Sequence, residues 1–117
     1  MDRPHLIYLH SHDTGRYIQS YGHAVATPNL QRLASDGVMF RQAFCTNPTC
    51  SPSRAALLTG TWPHQNGQLG LVNRGICMTR YDWHLARTLH AGGYHTVLAG
   101  LQHVAKEVSD IGYQEHL

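Results

Sequence analysis

Cys50-Ser51-Pro52-Ser53-Arg54-Ala55-Ala56-Leu57-Leu58-Thr59-Gly60 is the stretch from which the rest of the chain can be read. Ser and Pro at its start, Ala and Leu in its body and Gly at its end predict a short helix with Cys50 at or just before the first turn. Cys50 and Arg54 then lie on one face, one turn apart. The start of a helix offers unpaired N–H groups and a partial positive charge, which together make an anion site. Arg54 adds a fixed cation whose planar fork suits sulfate, phosphate or carboxylate. A nucleophile beside an anion cradle suggests transfer of a sulfuryl or phosphoryl group. The same spacing also fits a small buried thiol with a surface arginine.

Upstream, residues 6–9 (Leu-Ile-Tyr-Leu) form an apolar run that predicts a buried strand. It opens into His10-Ser11-His12-Asp13-Thr14-Gly15, and open α/β sheets place their sites just past the C-terminal ends of such strands. Thr27 followed by Pro28 predicts an N-cap and a first helical residue. Leu30, Leu33 and Ala34 give that helix an apolar face, and Gly37 closes it as a C′ residue. Residues 38–44 predict a short strand or extended segment. Downstream, residues 61–80 are rich in Gly, Asn and His without a clear period and predict a long irregular loop. Asp82 is expected to cap a third helix with Leu85, Ala86 and Leu89 on its face, ended by Gly92 and Gly93. Residues 95–99 then read as a strand opening into Gly100-Leu101-Gln102-His103. Strands alternating with helices predict an α/β fold with a largely parallel sheet, and no closing element is evident after the last strand.

The bulk properties narrow the function classes. A chain of 117 residues suffices for one small domain. A formal net charge of +2 with no run of Lys or Arg argues against nucleic acid or a membrane surface as partner. Three cysteines at irregular spacing make neither a disulfide framework nor a zinc knuckle, and Cys45 and Cys77 read as structural or incidental. The ten histidines are the oddity, since imidazoles sharing a site bind metal or carry protons near neutral pH. The apolar run near the N-terminus is too short for a signal-peptide core, and no segment approaches a membrane span. A cytoplasmic location is expected. Trp62 and Trp83 read as core or loop anchors.

Cys50-x-Pro52-Ser53-Arg54, followed by Leu58-Thr59-Gly60, resembles the motif of the type I sulfatases. Thr27-Pro28-Asn29-Leu30, Leu33-Ala34 and Gly37-Val38-x-Phe40 resemble that family's first helix and following strand. Pro63-His64-Gln65-Asn66-Gly67 resembles the stretch after the nucleophile helix, most of all in heparan N-sulfatases. The resemblance implies an alkaline phosphatase-like sandwich, a mostly parallel sheet flanked by helices, of which residues 1–117 would be the N-terminal part. It also implies that a formylglycine-generating maturation enzyme reads the motif and converts Cys50 to formylglycine. One hydroxyl of the hydrated aldehyde would attack sulfur, and the second would expel sulfate, splitting one hard step into two. A divalent metal would acidify the nucleophile and hold a sulfate oxygen, and Arg54 would neutralise developing charge. The expected substrate is a sulfated sugar or another small sulfate ester or sulfamate.

Two departures mark this chain. Where the family has Asp-Asp-x-Gly, it has His12-Asp13-Thr14-Gly15. The resemblance assigns Asp13 to the metal, together with Cys50 once modified. His12, a nitrogen donor where calcium prefers oxygen, leaves manganese and zinc open beside calcium. Where the family reads Gly-Lys-x-His, the chain has Gly100-Leu101-Gln102-His103. His103 keeps its expected place at the nucleophile or the sulfate, but Leu101 binds no anion. Arg16, close after Asp13, is one candidate for the missing cation, and His64 is a candidate lining residue of the substrate pocket.

Sulfatases run to several hundred residues, so the chain reads as a fragment with half of a metal shell. It is expected to be weakly active or inactive alone, and its uncovered apolar faces favour self-association into a homo-oligomer. Two other readings stand beside the sulfatase one. The first is a phosphonate monoester or phosphodiester hydrolase of the same superfamily, and the second is a non-catalytic remnant that binds anions.

Overall fold

The computed structural model describes residues 3–117 and divides them into two compact units, the first running to Ala43 and the second spanning Phe44–Leu117. In the first unit the chain folds around one helix, α1 (Pro28–Asp36), with Thr27 at the N-cap and Pro28 opening the first turn, as the sequence predicts. Thr27 does not cap α1 with its hydroxyl. That oxygen instead accepts the Gln19 N–H at 3.0 Å, while Gln19 Oε1 accepts the Thr27 N–H at 3.4 Å, so a short 3-10 turn at Gln19–Tyr21 is tied to the helix entrance. The Tyr21 hydroxyl donates to the Phe40 carbonyl at 2.9 Å. Gly37 ends α1 with its N–H on the Leu33 carbonyl at 3.0 Å, in an extended rather than left-handed conformation.

The strand expected at residues 6–9 does not form, and residues 38–44, read as a short strand or an extended segment, form no strand. Ile7 and Leu9 are 91% and 83% exposed, and Val38 and Phe40 are also exposed. A buried strand needs a neighbouring strand on its edge and a layer on its face. An apolar run supplies neither, so here it stays extended and irregular.

The second unit is built on α2 (Cys50–Thr59), with Thr49 at the N-cap and Gly60 closing it in the left-handed conformation at φ 67°. Ser51, Pro52, Ala55 and Ala56 form its buried face. Ala55 joins Met78, Val104, Ala105 and Ile111 in the core, with Tyr81 and Tyr113 packed against it. Residues 61–80 are more ordered than a loop reading suggests. They contain α3 (Pro63–Asn66), whose entrance is fixed by Gln65 Oε1 accepting the Trp62 N–H at 2.9 Å, and a 3-10 turn at Val72–Arg74.

Two buried amides hold this segment. Asn66 donates to Thr61 Oγ1 at 3.2 Å and accepts the Gln68 N–H at 2.9 Å. Gln68 in turn donates to the Gly70 and Ile76 carbonyls at 2.7 and 2.5 Å. Trp62 and Trp83, read as core or loop anchors, lie outside the core and are about half exposed at 56% and 45%, and Arg80 stacks on the Trp83 ring at 4.8 Å.

The next helix, α4 (Leu85–Ala91), is capped by His84 and not by Asp82. His84 Nδ1 accepts the Ala86 N–H at 3.2 Å, whereas Asp82 is held by Arg80 at 2.9 Å. At the other end the Gly93 N–H reaches the His90 carbonyl and the Tyr94 N–H the Leu89 carbonyl, with Gly93 at φ 81°. This is the paired closure that the expected Gly-Gly terminus provides. Strand β1 (Val97–Leu98) pairs in parallel with β2 (Glu115–His116), in register Val97 with Glu115 and Leu98 with His116. The parallel pairing accords with the expected α/β class, and β2 is a short strand that the sequence reading did not predict. Among the described residues no helix is long and apolar enough to cross a membrane.

His84 is fully buried, edge-on to the Tyr113 ring with centroids 5.6 Å apart. Burial, and secondarily the Arg87 guanidinium, push its imidazole down from the ordinary 6.5 to about 4. Protonation would also destroy the Nδ1 acceptor that caps α4. The unfolded chain binds its proton near the ordinary value, so the stability contributed by neutral His84 is complete above pH 6.5 and is lost as pH falls toward 4. Urea unfolding should show a loss of roughly 2 kcal/mol between pH 7 and pH 5 from this group. In His84→Asn, which can still cap but does not titrate, that part of the decline should vanish. An unchanged pH profile in the variant would assign the decline to other groups.

Candidate active site

Cys50 is the first residue of α2 and lies half-buried with a free thiol. No side chain caps this helix. The Thr49 hydroxyl, which would ordinarily do so, donates to Asn47 Oδ1 at 2.6 Å. Pro52 has no N–H, and the Ser53 N–H already bonds to the Thr49 carbonyl at 3.2 Å. The N–H groups of Cys50 and Ser51 are thus left at the positive end of the helix, as an anion site requires.

The two polar residues between Cys50 and the body of α2 each brace a different stretch of chain. Ser51 is fully buried, and its hydroxyl accepts the Val72 N–H at 3.3 Å. Arg54 reaches the other way: its NH1 donates to the Leu101 carbonyl at 3.0 Å and, more weakly, to the Gln102 carbonyl at 3.4 Å. A guanidinium has five N–H donors, so Nε and NH2 are not used in these two bonds.

The segment that Arg54 holds is strained. His103 sits at φ 58°, a left-handed conformation that a residue with a Cβ adopts at a cost. Gln102 fixes it there by wrapping its amide around the turn, Oε1 accepting from the Val104 and Ala105 N–H at 2.6 and 2.8 Å and Nε2 donating to the Ala105 carbonyl at 2.6 Å. The outcome is that a His103 ring nitrogen lies within 4.8 Å of Cys50 Sγ. Within the second unit the structure therefore brings together Cys50, Arg54 and His103. Leu101 meets Arg54 through its carbonyl, and its side chain is 66% exposed.

An open cleft of about 560 Å³ adjoins this group. Val72, Asn73 and Gly75 line one side, and Leu101, His103 and Lys106 are among the residues lining the other. Both sides are thus anchored to α2, one through Ser51 and one through Arg54. His64 lies exposed in α3 and is not among the lining residues. Sequence reasoning did not single out Ser51 or Lys106. Ser51 lies inside the motif but carries no chemistry of its own, and Lys106 follows it by half the chain.

In the first unit, Asp13 is 87% exposed at φ 55°, and its carboxylate lies 3.0 Å from His12 Nδ1. One carboxylate oxygen beside one imidazole nitrogen is a donor pair that fits a divalent ion by chemistry. It is far from the six to eight or so oxygens that a calcium shell takes. Arg16 lies over the Tyr21 ring, 5.3 Å from its centroid, a placement that holds the guanidinium by cation–π attraction.

Comparison with known proteins places these features in a family. The family model described as Sulfatase matches residues 4–115. The chain is 39% identical over 108 residues to human N-sulphoglucosamine sulphohydrolase, covering 88% of this chain and 21% of that protein. It is 30% identical over 107 residues to N-acetylglucosamine-6-O-sulfatase of Bacteroides thetaiotaomicron, covering 90% of this chain and 19% of the relative. To human steryl-sulfatase it is 33% identical over 112 residues, or 87% of this chain and 19% of the relative. The chain thus spans about a fifth of the length of these curated relatives.

Removing the Arg54 side chain should release the 101–105 segment. Arg54→Ala is expected to lower stability by about 1–3 kcal/mol in urea unfolding, the cost of leaving charge-assisted acceptors without their donor. The Val104 and Ala105 amides should exchange hydrogen faster, because the Gln102 clamp loses its anchor. Arg54→Lys retains the charge without the fork and should recover only part of the loss. Wild-type exchange at both amides in Arg54→Ala would show that the turn stands without Arg54.

Proposed function

Since this chain belongs to the sulfatase family, we propose that it carries the nucleophile, the anion cradle and part of the metal site of a sulfuric ester or sulfamate hydrolase. The observation that most supports this reading is the convergence of Cys50, Arg54 and His103 at the start of α2. A formylglycine made from Cys50, once hydrated, would supply one hydroxyl to attack sulfur and a second that gives up its proton, re-forms the aldehyde and expels sulfate. The Cys50 and Ser51 N–H groups and the remaining Arg54 donors bind the sulfate oxygens, where negative charge grows in the transition state. On this reading His103, held in its strained conformation, would hold or move a proton at the side chain of position 50. Asp13, with His12 as a second donor, would hold a divalent ion that polarises a sulfate oxygen. Manganese or zinc suits this donor pair better than calcium. The substrate on this reading is a sulfated sugar or similar small ester.

A phosphonate or phosphodiester hydrolase is the second reading, favoured by the nitrogen donor at His12. Two measurements decide. After co-expression with a formylglycine-generating enzyme, the Cys50 peptide should carry the aldehyde by mass spectrometry, and an unmodified thiol would sink the mechanism. The matured full-length enzyme that contains these residues should turn over an aryl sulfate faster than the matching aryl phosphonate, with Cys50→Ala inactive on both. A reversed preference would move the chain to the second reading.

A further inference from the structure

The cleft beside the nucleophile carries information about what sits next to the sulfate. His103 is among its lining residues, and a ring nitrogen of that histidine lies within 4.8 Å of Cys50 Sγ, so the cleft begins beside the nucleophile. Its volume of about 560 Å³ is that of a small-molecule site. A group transferred to position 50 leaves the rest of its substrate facing such a space.

The charge of the cleft is one-sided. No acidic residue lines it, and Lys106 is its one lining cation among the described residues. Glu107, next in sequence, does not line it. The other cations of the second unit are engaged or placed elsewhere. Arg80 is held by Asp82 and Trp83, Arg87 donates to the Asp110 carbonyl at 2.8 Å, Arg54 braces Leu101 and Gln102, and Arg74 is not a lining residue. Lys106 forms no ion pair among the described residues. Leu101 and Ala105 give the same surface an apolar part, and Asn73 and Gln102 a neutral polar one. A ring with hydroxyls matches these, and a negative group on that ring matches the lysine.

We propose that Lys106 is a substrate-binding residue that selects sulfated substrates bearing a second anionic group, a carboxylate or a further sulfate, on the part of the molecule that leaves. This rests on the sulfatase reading for the placement of the substrate, but its binding consequence can be read without turnover. The ammonium is exposed, so its contribution is that of a solvated ion pair: it should tighten binding about fivefold and fade with added salt.

The test is calorimetric titration of the full chain carrying Cys50→Ala, which cannot turn over. One probe is a disaccharide with one sulfate and one uronate carboxylate, and the other is the same disaccharide with the carboxylate as its methyl ester. The acid should bind about fivefold tighter than the ester. Lys106→Gln should abolish that difference, Lys106→Arg should keep it, and Arg74→Gln should leave it unchanged. Equal affinity for acid and ester, or equal losses for both in Lys106→Gln, would overturn the proposal, the second outcome assigning Lys106 to the sulfate itself. Hydrolysis of an aryl sulfate without a second anion, measured on the matured full-length enzyme that contains these residues, reports on the sulfatase reading separately. Loss of that activity with the acid–ester difference intact would reject the reading and leave the anion site standing.

Discussion

The candidate site depends on one geometric constraint: a single helix start must hold two separate stretches of chain at once. Ser51 and Arg54 do this from opposite sides of Cys50, one by accepting the Val72 N–H and the other by donating to the Leu101 and Gln102 carbonyls. Both bonds run from a side chain to backbone, so they fix the position of the partner segments whatever side chains those segments carry. This separates positioning from chemistry. The residue at 101 can become leucine without losing its place, because Arg54 meets it through its carbonyl.

Holding His103 requires more than one restraint. A left-handed residue with a side chain persists only where its neighbours leave no alternative. Here the Gln102 amide closes the turn from within, with three hydrogen bonds of 2.6 to 2.8 Å. Arg54 closes it from outside, and buried Val104 and Ala105 root it in the core. Buried amides organise residues 61–80 by the same means, with Asn66 and Gln68 replacing the regular ladders that this stretch lacks. An unmade bond to a buried carbonyl costs more than a made one returns. A polar residue at the centre of several such bonds therefore fixes a loop as firmly as an apolar residue fixes a helix.

Much of this was legible in the sequence, and what was not shares a physical cause. Helices α1 and α2 could be read because caps, Pro28 and Gly60 act locally, within a turn of their own position. The Cys50–Arg54 spacing was legible for the same reason. Residues 6–9 misled because an apolar run records a tendency to be buried, while a strand also needs a partner that no local pattern names. Asp82 misled because two acceptors competed to cap α4, and Arg80 took the carboxylate, leaving His84 the helix. The amide clamps were invisible to periodicity, since Asn66, Gln68 and Gln102 act through backbone atoms scattered along the chain.

The two departures from the family motif differ in what they ask of the surrounding structure. At His12 a nitrogen donor stands where the family motif has a carboxylate, 3.0 Å from Asp13, so on the proposed reading the change would bear on which ion is held rather than on the presence of donors. At Leu101 a charge disappears from a segment whose backbone is unaltered. Electrostatics act over a Debye length of about 8 Å in physiological salt, whereas hydrogen-bond geometry tolerates only tenths of an ångström. A lost cation therefore leaves the turn where it was, whereas a lost backbone brace would not. The 101–106 turn keeps its braces and carries Lys106, so its chemistry is free to change while its geometry is not.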